Sequence, residues 1–303
     1  MPYAGECQEV YRRASPLKDW FVPMASSVNP RLARGETAQG YYVAGPDGKA
    51  YGWYHRQRDP LQVLQFIDGA AAKYRGDPPT KTALPKDSVR TERNLTPAAG
   101  TTVVRVFSRI RPLPADADAM SRSIGRDHLW VYPHEIKAIA EASREAGASF
   151  SMPKSLAVRL ARFHLVSNVR GQPTSWGPDE VRKAELTGKV VTAGGSRTIS
   201  FGGDFETASK DEVHGFKGRV EGQLTLDAAV GKLTRFRAYA EGEGRGNHAW
   251  NRRAGERVRG GLGPFPLVFA FVDVNDNLAK TLPPAGLYYS TPEGYERPRV
   301  GGE

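Results

Sequence analysis

The residues of this chain whose types could do chemistry are one cysteine, six histidines and a loop crowded with arginine. Cys7 precedes a stretch from Glu9 to Trp20 that reads as a helix broken near Pro16. A thiol close to a helix N-terminus has its thiolate stabilised by the helix dipole, which lowers its pKa and raises its nucleophilicity at neutral pH. Arg12 and Arg13 add positive potential, and Glu6 opposes it. The competing reading is a small buried hydrophobe that reacts with nothing. A sole cysteine excludes a disulfide within the chain and any multi-cysteine zinc site.

The arginine loop follows a glycine-rich run, Glu241-Gly-Glu-Gly-Arg-Gly246, that spells Gly-x-Gly-x-Gly after a strand. A dinucleotide fingerprint needs a helix next, inside a βαβ unit. Asn247-His248-Ala249-Trp250 and a basic loop stand there instead, so no cofactor is expected. Arg245, Arg252, Arg253, Arg257 and Arg259 lie among glycines, a composition that lets guanidinium forks and backbone amides converge on an anion. A solvated loop is the alternative. His55, His128, His134, His164, His214 and His248 include no i, i+4 pair, so no metal site is expected. Asp127-His128 beside Arg126 offers an orienting carboxylate and a base, yet no Gly-x-Ser-x-Gly supplies a nucleophile. We read it as a capped loop before the strand-like Leu129-Trp130-Val131-Tyr132.

Lysine and arginine number 43 against 33 acidic residues, a formal charge of +10. That balance favours an anionic ligand or an acidic partner, with a merely solvated basic surface as the alternative. No long basic run and no aromatic RNP pattern occurs, so nucleic acid is not an expected partner. The chain is 39% apolar with a mean hydropathy of -0.50. No apolar run approaches the ~20 residues of a membrane span. The first residues carry no charged and apolar leader, so no signal peptide is expected, and the compartment stays open.

At 303 residues the chain exceeds what one core comfortably serves, and two domains are expected. In the first, Trp20-Phe21-Val22-Pro23-Met24 reads as a short buried strand and Tyr41-Tyr42-Val43-Ala44 as another. Gly45-Pro46-Asp47-Gly48 is a turn, and Ala50 to His55 is the returning strand of a hairpin. Asp59-Pro60 opens a helix with Leu61, Leu64, Ile67 and Ala71 at helical spacing, closed at Arg75-Gly76. Cysteine, helix, strand, hairpin and closing helix, carried by Cys7-Gln8-Glu9-Val10-Tyr11, Trp20-Phe21-Val22-Pro23 and Gly45-Pro46-Asp47-Gly48-Lys49, resemble the thioredoxin fold over about the first quarter of the chain. The resemblance implies a thiol redox role for Cys7 and a protein thiol or disulfide partner. The family's second cysteine would fall at Ala4 or Val10, its cis-proline at Gln39, and its first strand upstream of Met1. A complete dithiol reductase is therefore not expected of this chain as it stands, and the missing strand is expected to be encoded upstream.

Residues 77–101 are proline-rich without periodicity and read as a linker. Residues 102–290 read as an α+β domain with an antiparallel sheet. Val104, Val106 and Ile110 alternate with Arg105, Arg109 and Arg111, and helices are expected over Pro133 to Ala146 and Pro153 to Val166. Ile199 to Phe205 alternates likewise. The clearest stretch is Phe216 to Glu241, a long hairpin with Val220, Leu224, Phe236 and Ala240 facing in and Arg219, Glu221, Arg237 and Glu241 facing out. Its small inward residues Gly218, Gly222, Ala238 and Ala240 either open a cavity or let aromatics approach the backbone. Pro266 to Val274 is almost wholly apolar, which predicts burial on both faces. Residues 291–303 read as a frayed tail. The functions left standing are a thioredoxin-like thiol redox protein fused to a binding domain, a non-enzymatic binding or structural protein on a degenerate scaffold, and an anion- or nucleic-acid-binding module.

Overall fold

The computed structural model describes residues 16–36, 39–55, 59–80, 97–112, 122, 124–168, 175–246, 264–274, 283–288 and 290–301. Two units partition the chain, 1–94 and 95–303, dividing it inside the proline-rich stretch. Cys7 lies outside the described residues, as do Arg252, Arg253, Arg257 and Arg259.

The first unit contains α1 (Pro16–Val28), α2 (Pro30–Ala33), the hairpin β1 (Tyr41–Ala44) and β2 (Ala50–Tyr54), and α3 (Pro60–Gly76). The strand expected over 20–24 is instead the middle of α1. Trp20, Phe21, Met24, Ala25 and Val28 recur at helical spacing, a period that a five-residue window does not reveal. Met24 and Ala25 are buried with Leu32, and Trp20, Phe21 and Tyr42 pack around them. The hairpin turn forms where Gly48 takes a positive φ of 85°. Asp47 stabilises it by accepting from the Lys49 N–H at 3.1 Å. As expected, Asp59 caps α3, accepting from the Leu61 N–H at 3.0 Å. The described residues of this unit hold a two-stranded sheet only, and Leu61, Leu64 and Ile67 of α3 are exposed.

The second unit is mixed α and β, built on a nine-stranded antiparallel sheet. In chain order it comprises β3 (Thr102–Ile110), β4 (Gly125–Val131), α4 (Pro133–Ala142), β5 (Ser149–Ser151), α5 (Lys154–Arg159), β6 (Val181–Ala184), β7 (Thr187–Thr192), β8 (Ser196–Ala208), β9 (Gly215–Asp227), β10 (Lys232–Arg245), β11 (Phe265–Asp273) and α6 (Pro292–Glu296). The spatial order is β4-β3-β11-β10-β9-β8-β7-β5, and β6 also pairs with β8. The long hairpin is β9 and β10. A bulge between Leu233 and Arg235 shifts the alternation by one, which is why Leu233 and Phe236, three residues apart, both face inward.

The inner face of the sheet is the core. Val104, Ile199, Phe205, Val220, Leu224, Phe236 and Phe269 pack there against Ile136 and Ile139 of α4 and Leu156 of α5. At ~1.5–3 kcal/mol for each large apolar side chain fully buried, this face dominates the stability of the unit. The small inward residues serve packing: a Cβ on Gly222 would lie 2.5 Å from the Phe201 ring and 2.7 Å from the Ala238 Cβ. Phe201 in turn packs against Phe236, tilted by 43° at 5.4 Å between centroids.

Two expectations fail instructively. β11 is not buried on both faces: Phe265, Leu267, Phe269 and Phe271 are buried, while Val268, Ala270 and Val272 on the opposite face are only half-buried. Helices α4 and α5 pack on the inner face, whereas at the β4 edge Val103 and Trp130 of the opposite face are buried with Tyr295 of α6. Nor is the end of the described chain frayed. Thr291 caps α6, its hydroxyl accepting from the Gly294 N–H at 3.0 Å, and Tyr295 is completely buried.

Candidate functional site

Two places in the second unit gather polar groups. One lies beneath α6. Pro133 starts α4 at its first helical position, and Glu135 in that first turn accepts from the Tyr132 N–H at 3.0 Å. The other Glu135 oxygen accepts from the Ser155 hydroxyl. Arg159, with no exposed surface, contacts both Glu135 oxygens at 2.8 and 2.9 Å. Its remaining donors go to the carbonyl oxygens of Trp130 at 3.3 Å, Tyr295 at 2.8 Å and Glu296. The Tyr132 and Tyr295 rings face its guanidinium at 4.8 and 5.3 Å, a favourable position for a cation.

After Arg159 the helix widens into a π turn, Leu160–His164, closed by the Leu165 N–H on the Leu160 carbonyl at 2.8 Å. Residues five apart on a regular α-helix point about 140° away from each other. The wider turn brings Arg159 and His164 round to one side, and both reach Tyr295. His164 Nδ1 lies 2.9 Å from Asp127 Oδ2, and His164 Nε2 lies 2.7 Å from the Tyr295 hydroxyl. Asp127 Oδ1 accepts from the N–H groups of His128 and Ala285, each at 2.7 Å. Burial above all pushes the Tyr295 phenol well above its ordinary range, with the Asp127 charge adding to it and Arg159 opposing.

Carboxylate, imidazole and hydroxyl in a row is the order of a nucleophilic triad. Here Asp127, His164 and Tyr295 are all buried, and the hydroxyl that would attack is a phenol sealed in the core. The arrangement therefore fastens α6 to the sheet. Asp127 does orient a histidine, but its partner is His164, 37 positions away, and not the adjacent His128. Nothing in the sequence paired them: His164 sits in the apolar stripe of Leu156, Leu160 and Phe163 and reads as one more core position.

The second place is the outer face of β3, β11 and β10. The register aligns Phe107 with Ala270 and Ala270 with Tyr239, and in the next row Arg109 with Val268 and Val268 with Glu241. A groove of about 770 Å³ runs over these rows, reaching Arg111 and the exposed Ile124. That size lies within the ~300–1,000 Å³ usual for small-molecule sites. Tyr239 is 46% exposed, and its hydroxyl donates to Glu241 at 3.0 Å. Desolvation, then that bonded carboxylate, raise its phenol pKa, with Arg111 opposing.

The charges across this face are unevenly matched. Over β8 and β9, Arg219 binds Asp204 at 3.0 Å and Glu221 at 2.8 Å, Lys183 binds Asp204 at 3.2 Å, and Lys217 binds Glu206 at 3.4 Å. Asp204 is accordingly held below the usual carboxylate range by Lys183 first and Arg219 second. Over β3 and β10, none of Arg105, Arg109, Arg111 and Arg237 forms an ion pair among the described residues. Arg109 Nε is shielded from solvent, with no acceptor among the described residues. Arg245, the one described member of the arginine-loop set, ends β10 and alternates onto the same outward row as Tyr239 and Glu241. It is not among the residues lining the groove.

The described residues contain no cluster of three or more metal-ligating side chains, and no described helix is long and apolar enough to cross a membrane. No family model, curated protein or solved structure matches the chain. Fold and sites thus define a mixed α/β protein with a broad antiparallel sheet, one face packed by α4 and α5 and the other offering a groove.

Proposed function

We propose that the second unit is a binding module that takes an amphipathic anionic small molecule on the outer face of its sheet. The observation that carries this reading is Arg109, which lines a groove floored by Val268 and Ala270 and forms no ion pair among the described residues. A guanidinium without a carboxylate beside half-exposed apolar side chains supplies both parts of a site for a carboxylate with an apolar body. An antiparallel sheet with one solvated face normally alternates apolar and polar residues. β11 departs from that rule where the groove lies.

Octanoate titrated into the protein at low ionic strength, followed by calorimetry, should bind saturably, and octanol should bind more weakly. Arg109→Ala should weaken octanoate about tenfold or more, since a charge-assisted hydrogen bond contributes about 1.5–3 kcal/mol. Absence of saturable octanoate binding, or equal affinity in the variant, overturns the reading.

A further inference from the structure

Resting on that reading, we infer that the groove is built for a ligand carrying a cationic group as well as an anionic one, an amino carboxylate with its two charges spaced by an apolar chain. The evidence is the other rim. Glu241 stands in register with Arg109 across Val268, two strand spacings away, or roughly 10 Å between Cα positions. Its one hydrogen bond is from the Tyr239 hydroxyl at 3.0 Å, and among the described residues no cation pairs with it. Its register partner on β9, Arg219, is engaged instead by Glu221 and Asp204.

Among the described residues, the groove therefore presents unpaired guanidinium groups along β3 and an unpaired carboxylate along β10, facing each other over an apolar floor without touching. A purely anionic ligand satisfies only the first rim and brings its own charge towards Glu241. A ligand with an ammonium at its far end satisfies both. The ammonium would meet a carboxylate and the exposed ring of Tyr239, the combination of charge and aromatic face that recognises such groups. An α-amino acid holds its charges too close together to span the floor, so the class favoured is an ω-amino carboxylate.

The test uses the full chain and three probes of matched length: 6-aminohexanoate, hexanoate and hexylamine. 6-Aminohexanoate should bind about tenfold or more tightly than either of the others. Glu241→Gln should bring 6-aminohexanoate down to the level of hexanoate while leaving hexanoate unweakened, and Arg109→Ala should weaken hexanoate but not hexylamine. If hexanoate binds as tightly as 6-aminohexanoate, or Glu241→Gln leaves the two probes as far apart as before, the inference is overturned while the anion reading survives. If none of the three probes nor octanoate binds, both fall together.

Discussion

The buried cluster under α6 and the groove over β3, β11 and β10 are built from the same side-chain types, arginine, glutamate and tyrosine, and they put them to opposite ends. Under α6 every guanidinium group has a partner: Arg159 meets two carboxylate oxygens, three carbonyls and two rings. On the groove Arg109 has no ion-pair partner among the described residues. Polar groups satisfied from within the chain hold the fold, and those left wanting are available to something else. The lesson is that the region resembling a catalytic triad is the structural one, and the region with no motif is the one open to a ligand.

That contrast can be broken most severely at Arg159. Replacement by Met leaves Glu135 charged and unpaired in the core, so Arg159→Met should cost about 3–5 kcal/mol in urea unfolding of the second unit. A loss below 1 kcal/mol would mean water or rearrangement compensates the carboxylate. Next, Tyr295→Phe removes the hydroxyl at His164 Nε2 and should cost about 1–3 kcal/mol by leaving a buried ring nitrogen unsatisfied. A neutral result would show that the triad does not fasten α6.

Arg109→Ala sharpens the other side of the comparison. Stability should change by no more than about 0.5 kcal/mol, as for other surface substitutions, while octanoate affinity drops. Destabilisation beyond 1 kcal/mol would place Arg109 with the structural set.

The smallest effect concerns His128, next to the triad on β4. Burial first, then Arg105 and His164, hold its pKa below the ordinary 6.5, against Asp127. The unfolded chain therefore takes up this proton at a higher pH than the folded one. The folded state keeps its full advantage above 6.5 and loses part of it as pH falls through that value towards the depressed one. His128→Asn should flatten this acid-side decline in unfolding experiments between pH 7 and 5. An unchanged slope would assign the decline to other groups.

Much of the sheet was legible because alternation is a local signal. Val104, Val106 and Ile110 of β3, and Val220, Leu224, Phe236 and Ala240 of the long hairpin, point inward as their spacing predicts, and proline begins α3 and α4 where expected. The misreadings share one cause, which is that tertiary context decided them. Val268 and Ala270 look like core in sequence and lie half-open because α4 and α5 cover the other face. Tyr295 looks like tail and is core, because Asp127, Arg159 and His164 converge on it from β4, α5 and the π turn. The groove was legible only as charge, since Arg109 and Glu241 lie far apart in sequence and meet through a strand order in which β11 inserts between β3 and β10.

The docking of Tyr295 has a consequence for how the protein is made. On the ribosome, all of β3 to β11 emerges before residue 295 does. Until then Arg159 lacks two of its carbonyl acceptors and His164 lacks its phenol, so the nascent sheet carries a cation and an imidazole that the chain does not yet fully satisfy. Closure of this unit is thus tied to the arrival of α6, and a transcript truncated just before it should yield an otherwise complete sheet that chaperones retain and proteases find.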